Sequence, residues 1–139
     1  MVRVKQRYLL CELHLESAKQ EESISQHDVL SQKQVQDSVR EAVKDAYGDL
    51  GLAKLQPNCL IKYYNPSTRV FILRVARDDL HTAETSLALM TRVSGLPETL
   101  VARVRILHVG GTLEKVEKAM KKMTQAWIEG HAKKEELKA

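Results

Sequence analysis

From Arg3 to Leu15 every second residue belongs to one series: Arg3, Lys5 and Arg7, then Leu9, Cys11, Leu13 and Leu15. In an extended segment, residues two apart lie on one side. The run therefore reads as a strand whose apolar side is continued, at its start, by three cations. Such a comb of charges, beginning where the core ends, is suited to gripping a phosphate backbone. A solvated strand edge that discourages aggregation has the same look. The stretch Leu107-His-Val-Gly-Gly-Thr-Leu113 favours the first reading once the two are taken together.

Periodicity along the rest of the chain sets the fold class. Residues 16–27 are rich in Ser, Gln, Glu and Lys and read as a mobile insertion. Ser31-Gln-Lys-Gln34 has the form of a capping box, and Val35, Val39, Val43, Ala46 and Tyr47 make one helical stripe that Gly48 or Gly51 can end. Cys59–Tyr64 and Arg69–Arg77 read as strands joined in a hairpin by Asn65-Pro-Ser-Thr68. Asp78-Asp79 opens a second helix with Leu80, Ala83, Leu87 and Met90 on its buried side, and Gly95 and Pro97 close it. Leu100–Val109 is a fourth strand. Thr112 then caps a last helix with a buried stripe of Leu113, Val116, Met120, Met123 and Trp127. The order βαββαβ followed by a helix is a split βαβ, ferredoxin-like α+β arrangement: an antiparallel four-stranded sheet with two helices on one face. A third helix can cover part of the other. Residues 1–139 are expected to form a single domain, with 130–139 as a frayed tail.

The net charge of +4 is unevenly spread. Residues 1–15 hold three cations and one acid, residues 16–50 four and eight, and residues 51–139 fifteen and nine. A basic C-terminal portion beside an acidic helical segment points to a polyanion on one face. Cys11 and Cys59 are too few for a disulfide framework and sit in apolar contexts, so they read as reduced core residues in an intracellular protein. No apolar run approaches a membrane span, and the N-terminus lacks a signal-peptide core.

In the expected sheet, Ala102, Val104 and Ile106 face the helices, which sends Arg103 and Arg105 outward. Phe71, Leu73 and Val75 likewise leave Arg74 outward, and Lys62, alternating with Ile61 and Tyr63, joins them. That face is electropositive, unless its cations pair with acids or lie over the third helix. Base stacking in the manner of the RNA-recognition motif is not expected, because Arg69-Val-Phe-Ile-Leu-Arg-Val75 lacks the required glycines and turns its aromatic inward. Backbone recognition remains. Gly110-Gly111-Thr112 follows a strand and starts a helix, giving close backbone approach and unpaired N–H groups, with His108 before it and Lys115 one turn on. Glu114 in that turn opposes tight phosphate binding, and a plain helix cap is the simpler role. The Walker spacing is absent, the five histidines share no metal-ligand spacing, and neither cysteine has an evident activating partner.

These residues carry a resemblance to the small protein subunit of ribonuclease P and ribonuclease MRP, of eukaryotic type with an archaeal counterpart. It rests on Met1-Val-Arg-Val-Lys-Gln-Arg-Tyr-Leu-Leu-Cys-Glu-Leu13, on Lys62-Tyr-Tyr-Asn-Pro-Ser-Thr68 with Ile72-Leu-Arg-Val-Ala-Arg77, and on Leu107-His-Val-Gly-Gly-Thr112. The 16–27 insertion and the Lys-rich last helix depart from the family pattern. The resemblance implies a non-catalytic, RNA-binding subunit that supports a catalytic RNA in maturing the 5′ end of precursor tRNA and in processing precursor ribosomal RNA. It implies Mg²⁺ on the RNA and no cofactor on the protein. The implied partners are the catalytic RNA, precursor tRNA and a larger barrel-like protein subunit, in a heterodimer or heterotetramer, away from membranes and in the nucleus and nucleolus. Arg3, Lys5 and Arg7 would touch phosphates, and His108, Gly110, Gly111 and Thr112 match the second motif. Two other classes fit the chain: a protein-interaction module that never touches RNA, and a small hydrolase on the same fold. The hydrolase lacks an anion-cradling loop after the first strand.

Overall fold

Leu9, Cys11, Leu13 and Leu15 are all buried, and the strand that carries them, β1 (Gln6–Ser17), lies inside the sheet. The computed structural model describes residues 5–17, 30–97 and 100–138. β1 is followed by α1 (Gln32–Leu55), β2 (Leu60–Asn65), β3 (Val70–Ala76), α2 (Leu80–Ala88), β4 (Leu100–Gly110) and α3 (Leu113–Lys138). The sheet order is β2-β3-β1-β4, with every pair antiparallel. This is the split βαβ arrangement that the sequence pattern implies.

One face of the sheet presents Leu9, Cys11, Leu13, Phe71, Leu73, Val75, Ala102 and Val104 to Val35, Val39 and Val43 of α1 and to Ala83 and Leu87 of α2. Each large apolar side chain buried there contributes about 1.5–3 kcal/mol. A second, smaller cluster on the opposite face joins Leu10, Ile72 and Val116, with Tyr8, Tyr63, Leu107, Leu113 and Met120 packed around it. That cluster seats the start of α3 against the sheet. Ser31 caps α1 as its sequence implies: its Oγ accepts from the Gln34 N–H at 3.2 Å, and the Gln34 side chain accepts from the Ser31 N–H at 2.9 Å.

Two expectations are corrected, the start of the insertion at residue 16 and the buried length of the last helical stripe. β1 continues through Glu16 and Ser17, which pair with Val101 and Leu100, so these residues belong to the sheet and not to the insertion; residues 18–27 lie outside the described residues. Gly48 ends the first stretch of α1 as its sequence allows, with a non-helical φ of 74°, and a second helical stretch beyond this kink buries Leu55. The stripe on α3 is buried only as far as Met120; Met123 and Trp127 are 40% and 65% exposed. Residues 130–138 continue α3 as helix, in keeping with the strong helix formers Ala, Lys, Glu and Leu that follow Gly130. Among the described residues, no helix is long and apolar enough to cross a membrane.

The outer edge of β2 is covered from α1. The buried Gln36 side chain accepts from the Ile61 N–H at 2.9 Å and donates to the Cys59 carbonyl at 3.3 Å, while Gln32 donates to the Ile61 carbonyl. Side-chain amides thus replace a neighbouring strand. Changing Gln36→Leu strands two buried backbone groups, and urea unfolding should show a loss of about 1–3 kcal/mol per stranded group at unchanged m. At the turn into α3, a Cβ on Gly110 would stand 2.7 Å from the Val116 side chain, whereas one on Gly111 would meet only Arg7, at 3.7 Å. In the same assay Gly110→Ala should cost about 1–3 kcal/mol through overpacking, and Gly111→Ala should leave the midpoint where it is.

Candidate nucleic-acid interface

β1 and β4 run antiparallel, so the start of the first strand lies beside the end of the last. Tyr8 pairs with Gly110 and Leu10 with His108. This register joins the two segments that stand out in the sequence. The Arg7 guanidinium donates to the Gln6 carbonyl at 2.9 Å and reaches to the Gly111 backbone. Lys5 is exposed, and its carbonyl accepts from the Arg77 N–H at 2.8 Å, which holds the strand's beginning in place. Arg3 lies outside the described residues.

His108 owes its orientation to a bulge. Ile106 is opposite Cys11 and His108 is opposite Leu10, which leaves Leu107 as the extra residue. Strict alternation from Ala102, Val104 and Ile106 would turn position 108 to the core. The bulge instead places His108 on the open face, where it lines a cleft beneath α3 with Lys115, Lys118 and Lys122. Sequence periodicity carries no sign of this switch. Lys118, Lys121 and Lys122, absent from the sequence-based set, border the same cleft.

Gly110 and Gly111 then turn the chain into α3. Thr112 caps that helix, its Oγ1 accepting from the Lys115 N–H at 3.3 Å. The cap uses one of the free donors of the first turn and leaves others for an anion. Glu114 points its charge to Lys118, at 3.2 Å, which moderates its opposition to an incoming phosphate. Arg7, Gly111, Thr112, Lys115 and His108 are therefore one neighbourhood, with exposed Lys5 at its edge.

The other sequence-selected cations are placed elsewhere. Arg105 stands five residues before Gly110, roughly 16 Å along the strand at about 3.3 Å per residue, and Arg103 stands farther still. Both are outward, as expected. Arg103, however, pairs with Glu16 at 3.1 Å, and Arg105 sits opposite Glu12. Lys62 is the extra residue of a bulge that sets Tyr63, not Ile61, on the open face. Arg74 is half-buried opposite Tyr8. An electropositive sheet face spanning Lys62, Arg74, Arg103 and Arg105 is thus broken up by acids and by α3. Tyr8 and Tyr63, the aromatics on this face, are packed into the α3 contact.

Both thiols are buried and free; burial pushes Cys59 up to about 12, against the opposing pull of Arg40 and Arg74, and raises Cys11 as well. A thiolate nucleophile is disfavoured at either position. Among the described residues, no three His, Cys, Asp or Glu side chains gather as a metal-holding group.

Residues 7–121 match the Rpp14/Pop5 family. The ribonuclease P/MRP protein subunit POP5 of Schizosaccharomyces pombe is 32% identical over 122 residues, covering 86% of this chain and 85% of its own length. The human subunit of the same name is 29% identical over 118 residues, covering 85% of this chain and 69% of its own length. A chain in the cryo-EM structure of yeast ribonuclease MRP shares the fold with a TM-score of 0.56, at 16% identity, over 91% of this chain and 96% of that one. The N-terminal comb, the glycine turn and the sheet that joins them lie in a chain that belongs to the Rpp14/Pop5 family.

Proposed function

We propose that this protein is a non-catalytic, RNA-binding subunit of the ribonuclease P and MRP ribonucleoproteins. The observation that carries the reading is the juxtaposition of Arg7 with Gly111, Thr112 and Lys115. A fixed guanidinium, a close-approach backbone and a helix start together suit a phosphate group. None of them reads a base. The chain would neutralise phosphate repulsion so that the catalytic RNA keeps its shape and its own Mg²⁺ sites, in precursor tRNA 5′ maturation and precursor ribosomal RNA processing. Its relatives' names support this assignment. The proposed partners are the catalytic RNA, precursor tRNA and a larger barrel-like protein subunit, and the proposed location is the nucleus and nucleolus.

A second reading has its own observation. Leu50, Leu89 and Tyr47 are 88%, 63% and 44% exposed on the helical side of the molecule, as protein-docking residues would be. A pure protein-interaction module would use them without any RNA contact.

Affinity purification of the tagged full chain from its own cells separates the two. Sequencing should recover one dominant structured RNA, and the eluate should cleave precursor tRNA in a magnesium-dependent way. Protein partners with no enriched RNA would favour the interaction module. In direct binding to that RNA, changing Arg3, Lys5 and Arg7 together to Gln should flatten the dependence of log K on log salt by up to about 0.7–0.9 per lost phosphate contact. An unchanged slope in a folded variant removes these residues from the interface.

A further inference from the structure

α3 is 26 residues long, roughly 39 Å at about 1.5 Å per residue, yet only its first turns touch the sheet. From Lys121 to Leu137 every residue is exposed. A free helix of this length needs an explanation beyond packing.

Its exposed length is ordered by chemistry. Lys115, Lys118 and Lys122 recur at helical spacing on one flank and, with Lys121 and His108, border the cleft between α3 and β4. Among the described residues, no acid lines that cleft. Glu114, which pairs with Lys118 at 3.2 Å, is 76% exposed; an exposed pair of this kind holds its lysine weakly. Beyond the cleft, Trp127 continues the Val116–Met120 stripe past the last sheet contact. It is 65% exposed, and its only ring contact among the described residues is the His131 imidazole, with centroids 4.0 Å apart. Met123 lines the cleft and Trp127 stands one helical turn beyond it; a large aromatic left in water beside a lysine-lined cleft is the combination that single-stranded nucleic-acid sites use, with cations along the backbone and a π-face for a base.

We propose that the cleft under α3 is a second RNA-binding element, which takes an unpaired strand with its phosphates on Lys115, Lys118 and Lys122 and a base stacked on Trp127. This rests on the RNA-binding reading above and adds to it a substrate class, single-stranded rather than helical RNA. The glycine turn grips a single phosphate, and the cleft extends that grip along a strand. The exposed apolar stripe is thereby a stacking surface and not a protein-docking face.

Trp127 is the sole tryptophan of the chain, so its fluorescence reports this place alone. The full-length protein is titrated with a labelled oligouridylate of about 12 nucleotides, within the usual span of such sites, reading label anisotropy and tryptophan emission together. Binding should quench Trp127. Trp127→Leu should weaken binding about 5- to 150-fold, the value of one base stack. Lys115, Lys118 and Lys122 changed together to Gln should lower the salt slope by about 2, at about 0.7 per single-strand contact. Emission that stays constant while anisotropy reports binding, or variants that bind as tightly as the parent, would overturn the proposal. So would binding of duplex RNA alone, or quenching by a partner protein alone. The structured RNA recovered with the native particle is titrated in parallel. If it binds while the oligouridylate does not, the second element fails and the first reading stands; if neither binds, both fail.

Discussion

The antiparallel pairing of β1 with β4 is the interaction on which the rest of the structure depends. It places a strand that begins with cations against a strand that ends in two glycines. The pairing is held by the apolar half of β1, because Leu9, Cys11, Leu13 and Leu15 fix its register against Val109, Ile106, Val104 and Ala102. A slip of one residue would turn all four to solvent. The core is thus what positions Arg7 at Gly111. Stability and the proposed site share the same hydrogen-bonded ladder, and the site itself costs the core little.

The bulge at Leu107 adds the second dimension. It reverses the facing of β4 for its last residues, so His108 and Gly110 address α3 rather than α1 and α2. α3 can then sit across the corner of the sheet on Leu10, Ile72 and Val116. With no side chain on Gly110, Val116 comes within a distance that any other residue would forbid. The basic surface is accordingly a corner between the end of the sheet and the start of a helix. It is not the sheet face that RNA-recognition motifs use, and the packing of Tyr8 and Tyr63 beneath α3 agrees with that.

Much of this was legible in the chain. Period-two runs placed the strands, the Ser31–Gln34 box placed the start of α1, and Ala102 and Val104 correctly sent Arg103 and Arg105 outward. The misses have physical causes. Bulges at Leu107 and Lys62 shift facing without changing composition, so His108 and Tyr63 could not be oriented from periodicity. The pairing of Arg103 with Glu16, and the position of Arg105 opposite Glu12, are invisible in the chain because the acids are distant in sequence and are brought near only by the β1–β4 ladder. Met123 and Trp127 keep the spacing of a buried stripe, but the sheet ends before they reach it. Periodicity states which residues share a helix face; it does not state how far the partner surface extends.

The proposed place of RNA contact is the corner where β1 and β4 adjoin α3. Ultraviolet crosslinking of the native particle, followed by mass spectrometry of the nucleotide-bearing peptides, tests it most directly. Crosslinks should fall on residues 5–8 and 107–127. Crosslinks only on partner proteins, or only at the Arg103 and Arg105 end of β4, would contradict it.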